Sequence, residues 1–181
     1  ERVLADAGVQ RAATDRALAL GVNQQDADAA RALAQAIGPR YPVDGQTVDA
    51  LLTASRAAWE RGDRAAALSW TGAAVALSDA PDLWVRYAYI ALRLDDTVPN
   101  GLRTAARRDA VPAALNGYVR AVSPGAQASA LQGLTEAFEA NGRGRDMVPA
   151  LRLAQALQPR DDIAAALDEA VGKYGFRVAD T

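Results

Sequence analysis

Three pairs of adjacent carboxylates stand in this sequence: Asp95-Asp96, Asp161-Asp162 and Asp168-Glu169. Paired carboxylates do general acid–base work when burial raises one pKa and a polar setting keeps the other ionised. All three pairs fall instead at expected helix ends or on solvated faces, where aspartate caps a helix or complements its dipole. Gly142-Arg143-Gly144-Arg145 has the glycines of a phosphate loop, but it lacks the Gly-Lys-Ser/Thr ending and no strand precedes it. Arg61-Gly62-Asp63 spells an adhesion tripeptide. Both segments are read as turns between paired helices. The chain has no histidine and no cysteine, so a Ser-His-Asp triad cannot be built and the commonest general base and transition-metal ligand is missing. A serine–lysine dyad would need Lys173, the single lysine, and no Ser-x-x-Lys surrounds it. The expectation is a non-enzyme without a cofactor or metal.

The large side chains suggest recognition. Trp59 is expected on an inner helix, where Arg56, Trp59, Tyr89 and Arg93 would line a groove for protein, combining aromatic anchors with arginine. The competing reading places Trp59, Trp70 and Trp84 in the core, filling gaps between alanine-lined helices. A net charge of −2 with no basic stripe argues against nucleic acid. No run of 18 apolar residues is present, so membrane insertion by this segment is not expected.

Helices must position these residues. Half of the 181 residues are hydrophobic but only 6% are aromatic, and much of the apolar content is alanine, the best helix former. Start and stop signals predict helices over about 24–37, capped by Asn23 and ended by Gly38-Pro39, and over 47–61, ended by Gly62. Others are expected over 64–78, from Asp82 through Leu94, and over 102–108, 112–122, 127–140, 146–157 and 162–174. Ser123-Pro124-Gly125 reads as a break, and Tyr174, Phe176 and Val178 alternate as in a strand.

Two segments, 51–79 and 131–159, look alike. In each a helix ends at a glycine (Gly62, Gly142) and a second helix carries alanine at equivalent places (Ala74, Ala154). They resemble tetratricopeptide repeats, with Leu131, Leu134, Phe138, Gly142, Leu151, Ala154 and Pro159 at the places of that pattern. A lone helix pair cannot bury its apolar face, so such units stack. The expected fold is all-α: stacked antiparallel helix pairs in a tetratricopeptide-like right-handed solenoid with a short extended C-terminal tail. The expected organisation is an N-terminal helical pair at 1–46, repeats at 47–173, and a linker or first strand of a following β-domain at 174–181.

Ala114, Asn116 and Tyr118, a helical pair after them, and Tyr174-Gly175-Phe176-Arg177-Val178 together carry a wider resemblance. The segment from about Asp109 onward is similar to the helical N-terminal region of large bacterial alpha-2-macroglobulin-like proteins. That resemblance implies a periplasmic or cell-envelope protease trap, in which this segment is a non-catalytic scaffold or docking domain. It implies protein partners: other domains of the same chain, a protease or an envelope protein. Without cysteine this segment carries no thioester. The chain starts at Glu1 rather than Met and is expected to be a piece of a longer protein. Two other readings are a free-standing peptide-binding adaptor, with Trp59 at its active surface, and the helical superstructure of an envelope lytic transglycosylase.

Overall fold

The computed structural model describes residues 26–37 and 45–175, and all regular structure among them is helical. Its helices are α1 (Ala27–Ile37), α2 (Gly45–Glu60), α3 (Arg64–Leu77), α4 (Pro81–Leu92), α5 (Asn100–Arg120), α6 (Pro124–Ala140), α7 (Gly144–Leu157) and α8 (Asp161–Tyr174). None of them is long and apolar enough to cross a membrane. The chain divides into two compact units between Leu83 and Trp84, inside α4.

In the first unit α3 packs against both α1 and α2. Every residue of α3 from Ala67 to Val75 is buried, as befits a helix with neighbours on two sides. Small side chains make this possible. Ser55 of α2 is fully buried and its hydroxyl lies 2.8 Å from that of Thr71 while donating to the Ala67 carbonyl at 3.1 Å. Ser69 donates to Asp28 of α1 at 2.8 Å. Polar groups buried at these crossings are therefore satisfied, without which each would cost about 1–3 kcal/mol.

In the second unit α5, α6, α7 and α8 pack successively, each against the next. The buried faces are Ala106, Ala110, Ala113, Ala114 and Gly117 on α5, with Leu131, Leu134 and Ala137 on α6. On α7 and α8 they are Leu151, Ala154, Ile163 and Ala170.

Two helix pairs turn in the same way. Gly62 (φ 81°) and Gly142 (φ 70°) adopt the left-handed conformation. Asp63 N–H donates to the Ala58 carbonyl at 2.9 Å and Gly62 N–H to that of Trp59 at 3.0 Å; Arg143 to Phe138 at 2.8 Å and Gly142 to Glu139 at 2.9 Å repeat the pattern. Both are Schellman motifs, which satisfy the last carbonyls of α2 and α6 and favour glycine at this place. The Arg-Gly-Asp and Gly-Arg-Gly-Arg segments are thus turns.

Several boundaries differ from expectation. The cap of α1 is Asp26, which accepts from Ala29 N–H at 3.0 Å; Asn23, Gly38 and Pro39 lie outside the described residues. Asp82 stands in the first turn of α4 and does not cap it. The two helices expected at 102–108 and 112–122 are one helix, α5, with Pro112 inside it. Proline in a helix interior costs about 3 kcal/mol. Here its buried stripe, Ala106, Ala110, Ala113, Ala114 and Gly117, keeps helical spacing across the proline, and the carbonyl deprived of its donor belongs to exposed Arg108. Continued packing on α6 outweighs that loss. The chain does break between α5 and α6, at residues 121–123, but α6 starts earlier than the expected 127: Ser123 caps it, accepting from Ala126 N–H at 3.2 Å, and Pro124 takes the first helical place. Tyr174 closes α8 instead of opening a strand, while Phe176 and Val178 lie outside the described residues.

Candidate docking surfaces

The expected groove residues divide between the two units. In the first, Trp59 sits half-buried at the end of α2. The Arg64 guanidinium lies 3.6 Å from its ring centroid, and Nη1 of the same arginine donates to the Trp59 carbonyl at 2.8 Å. The Schellman turn makes this stack possible, because reversing the chain at Gly62 brings α3's first residue back over α2's last turn. Arg56 is exposed, one turn earlier on α2. Trp59 therefore takes its arginine from α3, and that stack covers one face of the ring.

In the second unit Tyr89 is 47% exposed on α4. Arg93, one helical turn on, lays its guanidinium 3.7 Å from the ring centroid and donates to Glu136 of α6 at 3.0 Å. Trp70 is only 3% exposed and belongs to the core. Trp84 is half-buried, with Arg120 of α5 at 5.6 Å from its ring.

The carboxylates hold turns and helix ends. Asp95 accepts from Thr97 N–H at 3.1 Å, and Asp96 pairs with Arg103. Asp162, in the first turn of α8, accepts from Arg160 Nε at 2.9 Å and Nη2 at 2.6 Å, and from Gln132 of α6 at 3.3 Å. The arginine bonds hold its pKa below the ordinary 3.8. Asp168 and Glu169 are exposed. Among the described residues no three His, Cys, Asp or Glu side chains gather in a way that could hold a metal ion.

The end of α8 is clasped to the α6–α7 turn. Lys173 donates to Glu139 at 3.1 Å, and its ammonium pKa is raised above 10.5 by hydrogen bonding with Tyr174 and then with Glu139. The Tyr174 ring lies against Gly144, where any Cβ would overlap it.

Beside this clasp runs a groove of about 610 Å³ between α7 and α8. Arg145, Val148, Pro149, Arg152 and Leu153 form one wall, and Val171, Tyr174 and Gly175 the other. The α7 residues recur at intervals of three, one, three and one, a second stripe distinct from the buried one at Ala150, Leu151 and Ala154. Leu153 and Val171 stand 40% and 41% exposed. Reading the chain for buried faces overlooks this stripe; the same spacing could have revealed it, since α7 carries more apolar residues than one face needs.

Family models, curated proteins and solved structures return no match for this chain.

The chemistry open to these surfaces is therefore what their own side chains supply. The arginine stacks present planar groups, and the α7–α8 groove brings apolar and cationic side chains together. Such surfaces suit recognition of another polypeptide.

Proposed function

We propose that this chain is a non-catalytic helical-repeat scaffold or docking domain of a bacterial alpha-2-macroglobulin-like protease inhibitor in the cell envelope. In this reading its helix pairs stack as a tetratricopeptide-like right-handed solenoid and act on other protein. The observation that carries it is the repeated turn: Gly62 and Gly142 take the same left-handed conformation and close the same Schellman motif between two helix pairs. Successive packing of α5 through α8 supports the stacking. Carboxylates engaged in caps and ion pairs support a scaffold over an enzyme.

The coding sequence beyond Thr181 tests the parentage. Macroglobulin-type β-domains are expected there; a lysozyme-like domain would favour the transglycosylase reading, and no β-domain at all would overturn the proposal. Deleting residues 26–175 from the parent tests the role. The expected result is impaired contact with a partner, or misplacement of the neighbouring domains, with bait cleavage unchanged. A deletion without either effect would end the docking reading.

A further inference from the structure

We infer that the Asn100–Gly101 step at the start of α5 is a site of spontaneous deamidation, which places a carboxylate at an uncapped helix start, while the fold protects the chain's other Asn-Gly steps. Three asparagines precede glycine: Asn100, Asn116 and Asn141. Glycine has no side chain to keep its own nitrogen away from the asparagine before it. At Asn100 the Gly101 nitrogen loses its proton to solvent and attacks the side-chain carbonyl carbon. A C–N bond forms to the backbone, the C–N bond to the side-chain nitrogen breaks, and that nitrogen leaves with a proton as ammonia. Water then opens the cyclic imide at either carbonyl, giving aspartate or isoaspartate. Water enters and ammonia leaves; nothing is oxidised or reduced.

For this attack the asparagine ψ must swing well away from helical values, and the three sites differ in what has to break first. Asn141 has ψ 11°, and its side-chain amide donates to the Arg107 carbonyl of α5 at 2.8 Å and to the Ala137 carbonyl at 2.7 Å. Gly142 N–H donates to the Glu139 carbonyl at 2.9 Å, so attack there would dismantle the Schellman turn. Asn116 stands inside α5, where its Oδ1 accepts from Arg120 Nη1 at 2.7 Å and Gly117 is buried. Freeing that nitrogen means opening the helix interior. Asn100 and Gly101, by contrast, are both exposed in the first turn of α5. The leading amides of a helix have no acceptor within it, and Pro99 at the N-cap offers no side-chain oxygen. The bond that ties the helix to its cap, Arg103 N–H to the Pro99 carbonyl at 3.1 Å, lies beyond the glycine. A Cβ placed on Gly101 would meet nothing within 4 Å, so the approach is open. Fraying of one terminal turn therefore frees this step, and helix ends fray most readily.

The product changes how α5 begins. Its first turn holds no acidic residue. Aspartate there complements the N-terminal dipole, and it stands three residues before Arg103, which is paired with Asp96. Isoaspartate instead carries the chain through the side-chain carbon, lengthens the backbone by one methylene and starts the helix after the modified residue.

The test incubates the full chain at mildly alkaline pH, folded and in urea, and follows each Asn-Gly step by peptide mass spectrometry with fragmentation that separates aspartate from isoaspartate. In the folded chain, position 100 should convert at least about ten-fold faster than positions 116 and 141, because only their reaction waits on opening of packed structure. In urea all three should convert at comparable rates. Pro99→Ser supplies a hydroxyl that accepts from the first-turn amides, and should slow position 100 about five-fold when folded. Its rate in urea and its helical circular dichroism should match the wild type. Asn100→Asp, standing for the aspartate product, should slow hydrogen exchange of the Arg103 amide about two- to five-fold. Equal conversion of the three steps in the folded chain overturns the inference. So does an unreacted position 100 under conditions where the chain in urea is converted, or a folded Pro99→Ser chain that reacts as fast as the wild type. Arg103 exchange that is unchanged or faster in Asn100→Asp overturns the effect assigned to the product.

Discussion

The pairs α2–α3 and α6–α7 make the same turn and fill it differently. Each ends its first helix on a left-handed glycine with the same two backbone hydrogen bonds. Eighty positions separate them throughout, so Ser55 corresponds to Thr135, Thr71 to Leu151 and Arg64 to Gly144. In the first pair the helices meet through hydroxyls, Ser55 against Thr71. In the second, Leu151 is 1% exposed and the Thr135 hydroxyl turns back to the Gln132 carbonyl of its own helix at 2.7 Å. Where the first pair places Arg64 over Trp59, the second leaves a glycine and admits Tyr174 from α8. The backbone turn is thus separable from the side chains that pack behind it.

The strongest way to break the comparison is at Leu151. Replacing it with alanine leaves a cavity where the second pair is held by shape alone, and should cost roughly 3 kcal/mol within the usual 2–5. Hydrogen exchange of the α7 amides measures this locally, which a single unfolding midpoint of two units would blur. A loss below 1 kcal/mol would mean that Leu151 does not carry the contact.

At the corresponding crossing of the first pair, Ser55→Ala removes one partner of a buried hydroxyl pair and strands the other. The expected cost is about 1–3 kcal/mol in exchange of the α3 amides. The double variant Ser55→Ala with Thr71→Val removes both hydroxyls and should recover most of that loss. Thr135→Val, whose hydroxyl bonds only within its own helix, should change stability by less than about 0.5 kcal/mol. Equal losses from Ser55→Ala and Thr135→Val would erase the distinction between the two interiors.

Gly62→Ala and Gly142→Ala sharpen the likeness. No atom lies near an added Cβ at either position, so both substitutions cost backbone strain alone, roughly 1 kcal/mol each. Amide exchange at the ends of α2 and α6 should rise equally. Unequal effects would show that only one turn depends on its glycine.

Much of the fold was legible because its signals are local. Glycine after α2 and after α6 is a rule of a few residues. Alanine content pointed to helices, and the repeat placed Gly62 and Gly142 in turns. Pro112 misled because a local rule, proline as terminator, lost to packing along a 21-residue helix. Ser123-Pro124 marked the break between α5 and α6 but hid where α6 begins, because the same residues that interrupt one helix also start the next. The candidate surfaces were less legible. The Tyr89–Arg93 stack follows from helical spacing, but Arg64 reaches Trp59 only through the turn's geometry. The α7–α8 groove joins Leu153 to Val171, and nothing in local spacing says that two helices will leave these side chains uncovered.

The smallest expected effect concerns how the second pair is joined to its neighbour. The first pair reaches α1 through the half-buried Ser69–Asp28 hydrogen bond, whereas the second reaches α8 through an exposed cluster, Gln132 and Arg160 on Asp162. Asp162 has its folded pKa lowered below 3.8, chiefly by Arg160. A carboxyl with a depressed folded pKa contributes stability that is fully present above its unfolded value and is lost as pH falls through the folded one. Comparing the wild type with Asp162→Asn should therefore show a constant, slight difference in α8 amide exchange above the unfolded value, shrinking to nothing as pH falls through the folded one. Raising salt should shrink it at neutral pH as well, because the pair is exposed. Ser69→Ala should show neither the acid midpoint nor the salt dependence in its own effect on α1. A difference that persists below the lowered pKa would mean that Asp162 joins α8 to α6 through shape and neutral hydrogen bonds rather than through its charge.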